Sequence, residues 1–143
     1  MTARRPLNGL RVRIQLVRQG KPSYSTKIVG PGDAAQLLAH LRREDREHFV
    51  CICVDANNNV LGVETVSVGT LSASLVHPRE CMKAAILLNA AGVLVVHNHP
   101  SNSLEPSQDD IQTTRRLVKA GELMGIPVLD HIIVGDGGYT SMR

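Results

Sequence analysis

Residues 93–96, Val-Leu-Val-Val, sit between a glycine and a histidine and are apolar without interruption. A run so short and so apolar reads as a strand buried on both faces, so the chain must build a sheet that is covered above and below. The flanking segments supply the rest of that sheet. Residues 48–55 and 60–68 are rich in strand-forming residues and are joined by Ala56-Asn57-Asn58-Asn59. Asparagine is the residue after glycine that best tolerates positive φ, and a hairpin is expected. Val12, Ile14 and Leu16 alternate with polar residues, which predicts a half-buried strand over 11–17, with a second short strand over 24–29. Gly30-Pro31-Gly32-Asp33 then reads as a turn ending in a helix cap, followed by a helix over 34–43 with Leu37, Leu38 and Leu41 inward.

Pro78 suits the first turn of another helix, with Met82, Ala85, Ile86 and Asn89 as one stripe and Gly92 closing it. Pro106 and Ser107 open a last helix that carries Asp109 and Asp110 in its first turn and stops at Gly125. Residues 126–134 return as a strand, Asp136-Gly137-Gly138 turns the chain, and 139–142 form a final strand. Strands and helices alternate without repeats, so the class is α/β or α+β with a mixed sheet. One domain over 1–143 is expected, with N-terminal strands and a helix in 1–45 and the chemistry in 46–143.

A chain of 143 residues can bury a core without disulfides. With no Trp, one Phe and two Tyr, that core must be aliphatic, and a base-stacking surface is not expected. Arg4, Arg5, Arg11, Arg13, Arg18 and Lys21 precede the first acidic residue, although the formal charge is only +3. The basic N-terminus allows weak contact with nucleic acid; its plain reading is solvated charge on a strand edge or a loose terminus. Cys51, Cys53 and Cys81 lack the spacing of a disulfide framework or a zinc ribbon and read as buried thiols. No apolar stretch follows the basic start and none is long enough to span a bilayer, so a cytoplasmic protein without membrane contact is expected.

The chemistry concentrates in His97-Asn98-His99-Pro100 and in Ser107-Gln108-Asp109-Asp110. His97 and His99 are two apart at the end of the apolar strand, so both imidazoles leave one face. Asp110 lies three residues after the cap Ser107, which puts its carboxylate on the first helical turn facing the strand end. Taken singly, a His-x-His is often incidental and an Asp in a first turn is often only a dipole partner. Together they form two imidazoles and a carboxylate, a ligand set that suits zinc and leaves a fourth position for water. Such an ion acidifies water and polarises a carbonyl, and hydrolysis of an amide or isopeptide bond is its natural use.

His97, His99, the seven residues 100–106, Ser107 and Asp110 match the JAMM signature position by position. His77-Pro78-Arg79-Glu80, His97-Asn98-His99-Pro100-Ser101, Thr114-Arg115-Arg116 and the run Gly125-Ile126-Pro127-Val128-Leu129-Asp130-His131 resemble the RadC branch of the JAB/JAMM proteins in particular. The likeness is dense from Glu47 to Met142. It implies a JAB fold, a cytidine-deaminase-like three-layer arrangement in which helices flank a twisted mixed sheet. It also implies one Zn(2+) per chain on His97, His99 and Asp110. In this family a glutamate acts as general base, for which Glu47 is the best-placed match and Glu64 and Glu80 are competitors. In the family pattern the serine at the position of Ser107 helps to hold an oxyanion, and here it is equally a helix cap. His131 reads either as a partner of a ligand or as a satisfied core histidine. The loop departs from the usual Pro-Ser-Gly-Asp, reading Pro100-Ser101-Asn102-Ser103, and Asn102 is expected to take the left-handed conformation.

Longer RadC proteins carry an N-terminal helix-hairpin-helix region, and this chain is expected to be a short form without it. The function the resemblance implies is a zinc metallopeptidase or isopeptidase acting on an unknown protein or peptide. The alternatives are a DNA-repair- or mobile-element-associated binding module with a structural or vestigial zinc, and a zinc-dependent nuclease. Open strand edges near the N-terminus would allow a dimer.

Overall fold

In the computed structural model of the chain, whose described residues are 9, 11–20, 26–69 and 76–143, the apolar run lies inside β3 (Gly92–Asn98), and every residue of that strand is buried. β1 (Glu47–Val54) pairs with it antiparallel and β4 (Val128–Gly135) pairs with it parallel. β2 (Val60–Gly69) completes the expected hairpin with β1, and Asn58 makes its turn at φ 63°. β5 (Gly138–Ser141) folds back along β4, so the mixed sheet runs β2-β1-β3-β4-β5.

The two-residue period of the strands divides the core into two layers. Phe49, Cys51, Cys53, Val93 and Val95 face Cys81, Met82, Ala85 and Leu117 of α2 (Pro78–Leu87) and α3 (Gln108–Met124). Val50, Ile52, Val54, Leu94, Val96, Ile132 and Val134 face α1 (Pro31–Leu37) and a 3-10 helix, Ala39–Arg43, which bring Ala34, Ala35, Leu38 and Leu41. The result is the three-layer α+β arrangement, packed almost wholly with aliphatic side chains. Among the described residues no helix is long and apolar enough to cross a membrane.

Four expectations are corrected. Residues 11–17 do not form a strand: no described strand pairs with them, and Val12 and Ile14 are 86% and 72% exposed. Alternation fits a segment to a pleated surface, but a strand also needs a neighbour's N–H and C=O groups. Of 24–29, the first two positions lie outside the described residues, and the rest makes only the bridge Lys27 to Asn59. The helix over 34–43 starts earlier, at Pro31, and breaks at Leu38. Asp33 is its third residue rather than its cap, and its carboxylate accepts the N–H groups of Val29 (2.8 Å) and Gly30 (3.2 Å). Three residues per turn in the second piece align Leu38 with Leu41, and both are buried against the sheet. On α2 the inward stripe is Cys81, Met82 and Ala85, while Ile86 is half exposed. Asn89 at φ 53°, not Gly92, makes the left-handed exit; a Cβ on Gly92 would lie 3.1 Å from Leu129 Cδ1, at the start of β3.

Candidate metal centre

α3 connects the parallel strands β3 and β4, so its N-terminus returns to the carboxyl end of β3, where sheets of this kind gather ligands. Ser107 caps it: its Oγ accepts the Asp110 N–H at 3.1 Å, and Asp110 Oδ2 accepts the Ser107 N–H at 2.8 Å. This reciprocal box fixes the Asp110 carboxylate on the first turn. Strand parity sends His97 to the α3 side of the sheet, and Asn102, left-handed at φ 63° as expected, helps turn the chain after His99. The three groups meet. His97 Nε2 lies 3.0 Å from Asp110 Oδ1, His99 Nε2 lies 2.9 Å from Asp110 Oδ2, and the two Nε2 atoms are 2.9 Å apart. All three residues are buried, and their donor atoms form a group that can hold a metal ion.

Proton positions follow from the surrounding partners. His99 Nδ1 faces the Ser103 carbonyl at 2.9 Å, and a carbonyl only accepts, so the proton is on Nδ1. Thr114 Oγ1 lies 2.7 Å from the Asp110 carbonyl and must donate to it, leaving its lone pairs for His131 Nδ1–H. His131 Nε2 then accepts from His97 Nδ1–H at 2.7 Å. Burial, reinforced by His97, pushes the His131 pKa down to about 3, so this ring is neutral. Phe49, the one phenylalanine, walls the pair, stacked on His97 at 5.8 Å and edge-on to His131 at 5.6 Å. With Nδ1 committed in both rings, His97 and His99 turn their Nε2 atoms toward the Asp110 carboxylate.

Three acceptors pressed this close repel one another unless a cation lies among them, and this is the observation that the metal fits. Without metal the cation is a proton. Hydrogen bonding to Asp110 raises the His99 pKa against the opposing effect of burial. Burial pushes the Asp110 carboxyl up, but the imidazoles of His97 and His99 and the Ser107 N–H outweigh it and hold it well below the usual carboxylate range.

The three candidate bases lie in different places. Glu80 is at the start of α2, paired with Lys83 at 2.9 Å, and Glu64 on β2 acts electrostatically on Cys51, Cys53 and Cys81. Glu47 opens β1, and its charge is felt at His99. A cavity of about 430 Å³ adjoins it, lined by Asp45, Arg46, Glu47, Gly69 and Pro100. The sequence reading missed what holds Glu47. Asn98, between the two histidines, faces the other way: its Oδ1 accepts His48 N–H at 2.7 Å and its Nδ2 donates to the Arg46 carbonyl at 2.9 Å. A side-chain amide thus clamps the backbone on both sides of Glu47. The available signal was parity, which places a polar residue on the opposite face at the end of a buried strand.

Fold and site together define a three-layer α+β domain carrying a buried His-His-Asp centre of metal-binding type at the junction of a strand end and a helix cap. A family model, the RadC-like JAB domain, matches residues 28–143, and the chain belongs to that family. It is 50% identical to a UPF0758 protein of Moorella thermoacetica over 119 residues, 82% of this chain and 52% of that protein. A UPF0758 protein of Desulforamulus reducens is 51% identical over 114 residues, 79% of this chain and 50% of that one. A Methanosarcina barkeri relative is 44% identical over 118 residues, with coverage of 82% and 52%. The chain thus spans about half the length of the curated relatives it matches.

Proposed function

We infer that the chain is a zinc-dependent hydrolase of the JAMM type that cleaves a peptide or isopeptide bond. The observation that carries this reading is the set of three buried groups, His97 Nε2, His99 Nε2 and the Asp110 carboxylate, within 3.0 Å of one another, with the Nδ1–H of each ring already committed. Two nitrogens and a carboxylate suit zinc better than magnesium or calcium. A zinc ion held there supplies Lewis acidity, polarising a scissile carbonyl and making water acidic near neutral pH.

The chain's own groups do the rest. Glu47, oriented through the Asn98 clamp, takes a proton from water and returns it to the leaving nitrogen. Ser107 Oγ already accepts the Asp110 N–H, so its own O–H is left to donate toward the developing oxyanion. The cavity beside Glu47, about 430 Å³, is the space offered to a substrate in this reading.

Elemental mass spectrometry on the native chain, Asp110→Ala and Glu47→Ala tests the reading. The expected result is about one zinc per chain in the native protein and in Glu47→Ala and none in Asp110→Ala, with hydrolysis in a peptide and isopeptide screen only for the native protein. A native protein that takes no zinc on reconstitution overturns it.

A further inference from the structure

The line of contacts behind His97 passes through three elements and returns to the centre it started from. From His97 on β3 it reaches His131 on β4 (2.7 Å), then Thr114 on α3, and through the Thr114 hydroxyl the backbone carbonyl of Asp110 (2.7 Å). The direction of every proton in it is set at the Asp110 end. A backbone carbonyl has no proton to give, and two oxygens 2.7 Å apart need one between them, so Thr114 donates there. Its other weak contact, to Met142 Sδ at 3.9 Å, also only accepts. A hydroxyl has one proton, so toward His131 Thr114 is an acceptor. His131 is then protonated on Nδ1 and bare on Nε2, and His97 is protonated on Nδ1 and bare on Nε2.

We propose that His131 and Thr114 are positioning residues that set the tautomer of His97, holding its Nε2 lone pair toward the ion, and that the closed circuit ties two ligands from different elements into one unit. This rests on the metal reading above only for its consequence; the tautomer belongs to the protein alone. Were the circuit reversed, His131 would donate from Nε2, His97 would carry its proton on Nε2, and no ion could bind there. The buried pair is thus more than a hydrogen-bonded core histidine. Geometry supports a dedicated role: His97 and His131 are buried, 4.8 Å apart between ring centres, and Phe49 closes over both.

The test uses the full chain labelled with 15N in histidine, metal-free, with ring nitrogens assigned by long-range 15N–1H correlation near pH 7.5. Expected are the Nδ1–H tautomer for both His97 and His131 in the native protein, and a mixture at both rings in Thr114→Val, which keeps the shape of the side chain and removes the hydroxyl. Zinc affinity by chelator competition should fall about 10- to 100-fold in Thr114→Val and in His131→Phe. It should recover in part in His131→Gln, whose Oε1 replaces Nε2 as acceptor. Finding His97 as the Nε2–H tautomer in the native protein overturns the proposal. So does a folded Thr114→Val with native tautomers and native zinc affinity. A native protein that shows the expected tautomers but takes no zinc overturns the metal reading and leaves the circuit standing.

Discussion

Asp110 caps α3 and is a proposed metal ligand, and Asp110→Asn separates the two duties. The amide oxygen of asparagine can still accept the Ser107 N–H (2.8 Å), and the Asp110 N–H to Ser107 Oγ bond (3.1 Å) does not involve the side chain. The cap, worth about 1 kcal/mol, therefore stays. What goes is the negative charge, worth about 0.3–1 kcal/mol at the helix N-terminus and about 1.5–3 kcal/mol as the acceptor for protonated His99 (2.9 Å), so the melting point of the metal-free variant should fall by about 5–15 °C at pH 6. The response to zinc should change as well. If zinc binding at a site of this kind is worth about 12 kcal/mol and three protein ligands share it, losing one costs about 4 kcal/mol, or roughly a thousandfold in affinity. At free zinc about 100-fold above the native dissociation constant, the native protein gains about 2.7 kcal/mol and the variant about 0.1 kcal/mol. With no tryptophan to report by fluorescence, the assay is scanning calorimetry in buffered zinc. The native melting point should rise by about 10 °C and that of the variant by less than one. A variant with the native zinc shift would show that the carboxylate is not a ligand. A metal-free variant that melts more than about 20 °C lower would show that the charge holds the fold itself.

Gly121→Ala sets two rules against each other. Alanine is favoured in a helix by about 1 kcal/mol, but the new Cβ would lie 2.5 Å from the Ile126 carbonyl oxygen and 3.3 Å from the Val128 nitrogen, so a net loss of about 1–3 kcal/mol is expected in urea titration; a gain would refute it. The thiols should be silent toward a disulfide reagent at pH 8 and yield three equivalents on unfolding. The hydrogen bond with Cys53 and burial push the Cys51 pKa far up, burial pushes Cys81 up to about 12, and all three are enclosed. The pH dependence of the centre should have opposite signs with and without metal. The His99 pKa is raised in the folded state, so its share of metal-free stability is complete below the ordinary histidine value near 6.5 and is lost as pH rises through the raised one. Zinc displaces that proton, so its affinity should climb over the same interval, read by chelator competition at pH 6 and pH 8.

How far the sequence could be read depended on whether a residue's role was local. His97 and His99 share a face by strand parity alone, and Asp110 stands where the capping spacing from Ser107 puts it, so the three groups that meet could be found without coordinates. Gly125 at the end of α3 and the asparagines at 58 and 102 were legible for the same reason, since positive φ is a property of the residue and its neighbours. The misread segments depended on partners. Val12, Ile14 and Leu16 have the right period but pair with no described strand, and the break after Leu38 brings two leucines onto one sheet face. Asn98 lies 52 residues from the Arg46 carbonyl it holds, His131 lies 34 from His97, and Thr114 lies 17 from His131, beyond the reach of any local pattern. For Asn98 and His131 the signal was that a polar side chain in an otherwise apolar buried strand must find a bond, and the sequence does not say with what; Thr114, on α3, carried none.

The clamp at Asn98 also says something about how such a centre can change over generations. Three successive residues, His97 and Asn98 at the end of β3 and His99 just past it, alternate in direction: the two histidines turn toward Asp110 and Asn98 toward the strand that carries Glu47. Losing or gaining one residue anywhere in β3 would invert all three at once and leave no working intermediate. The strand can therefore vary in its aliphatic residues while its length and phase stay frozen, and lineages that lose the chemistry should do so by substitution within the triplet, not by insertion before it.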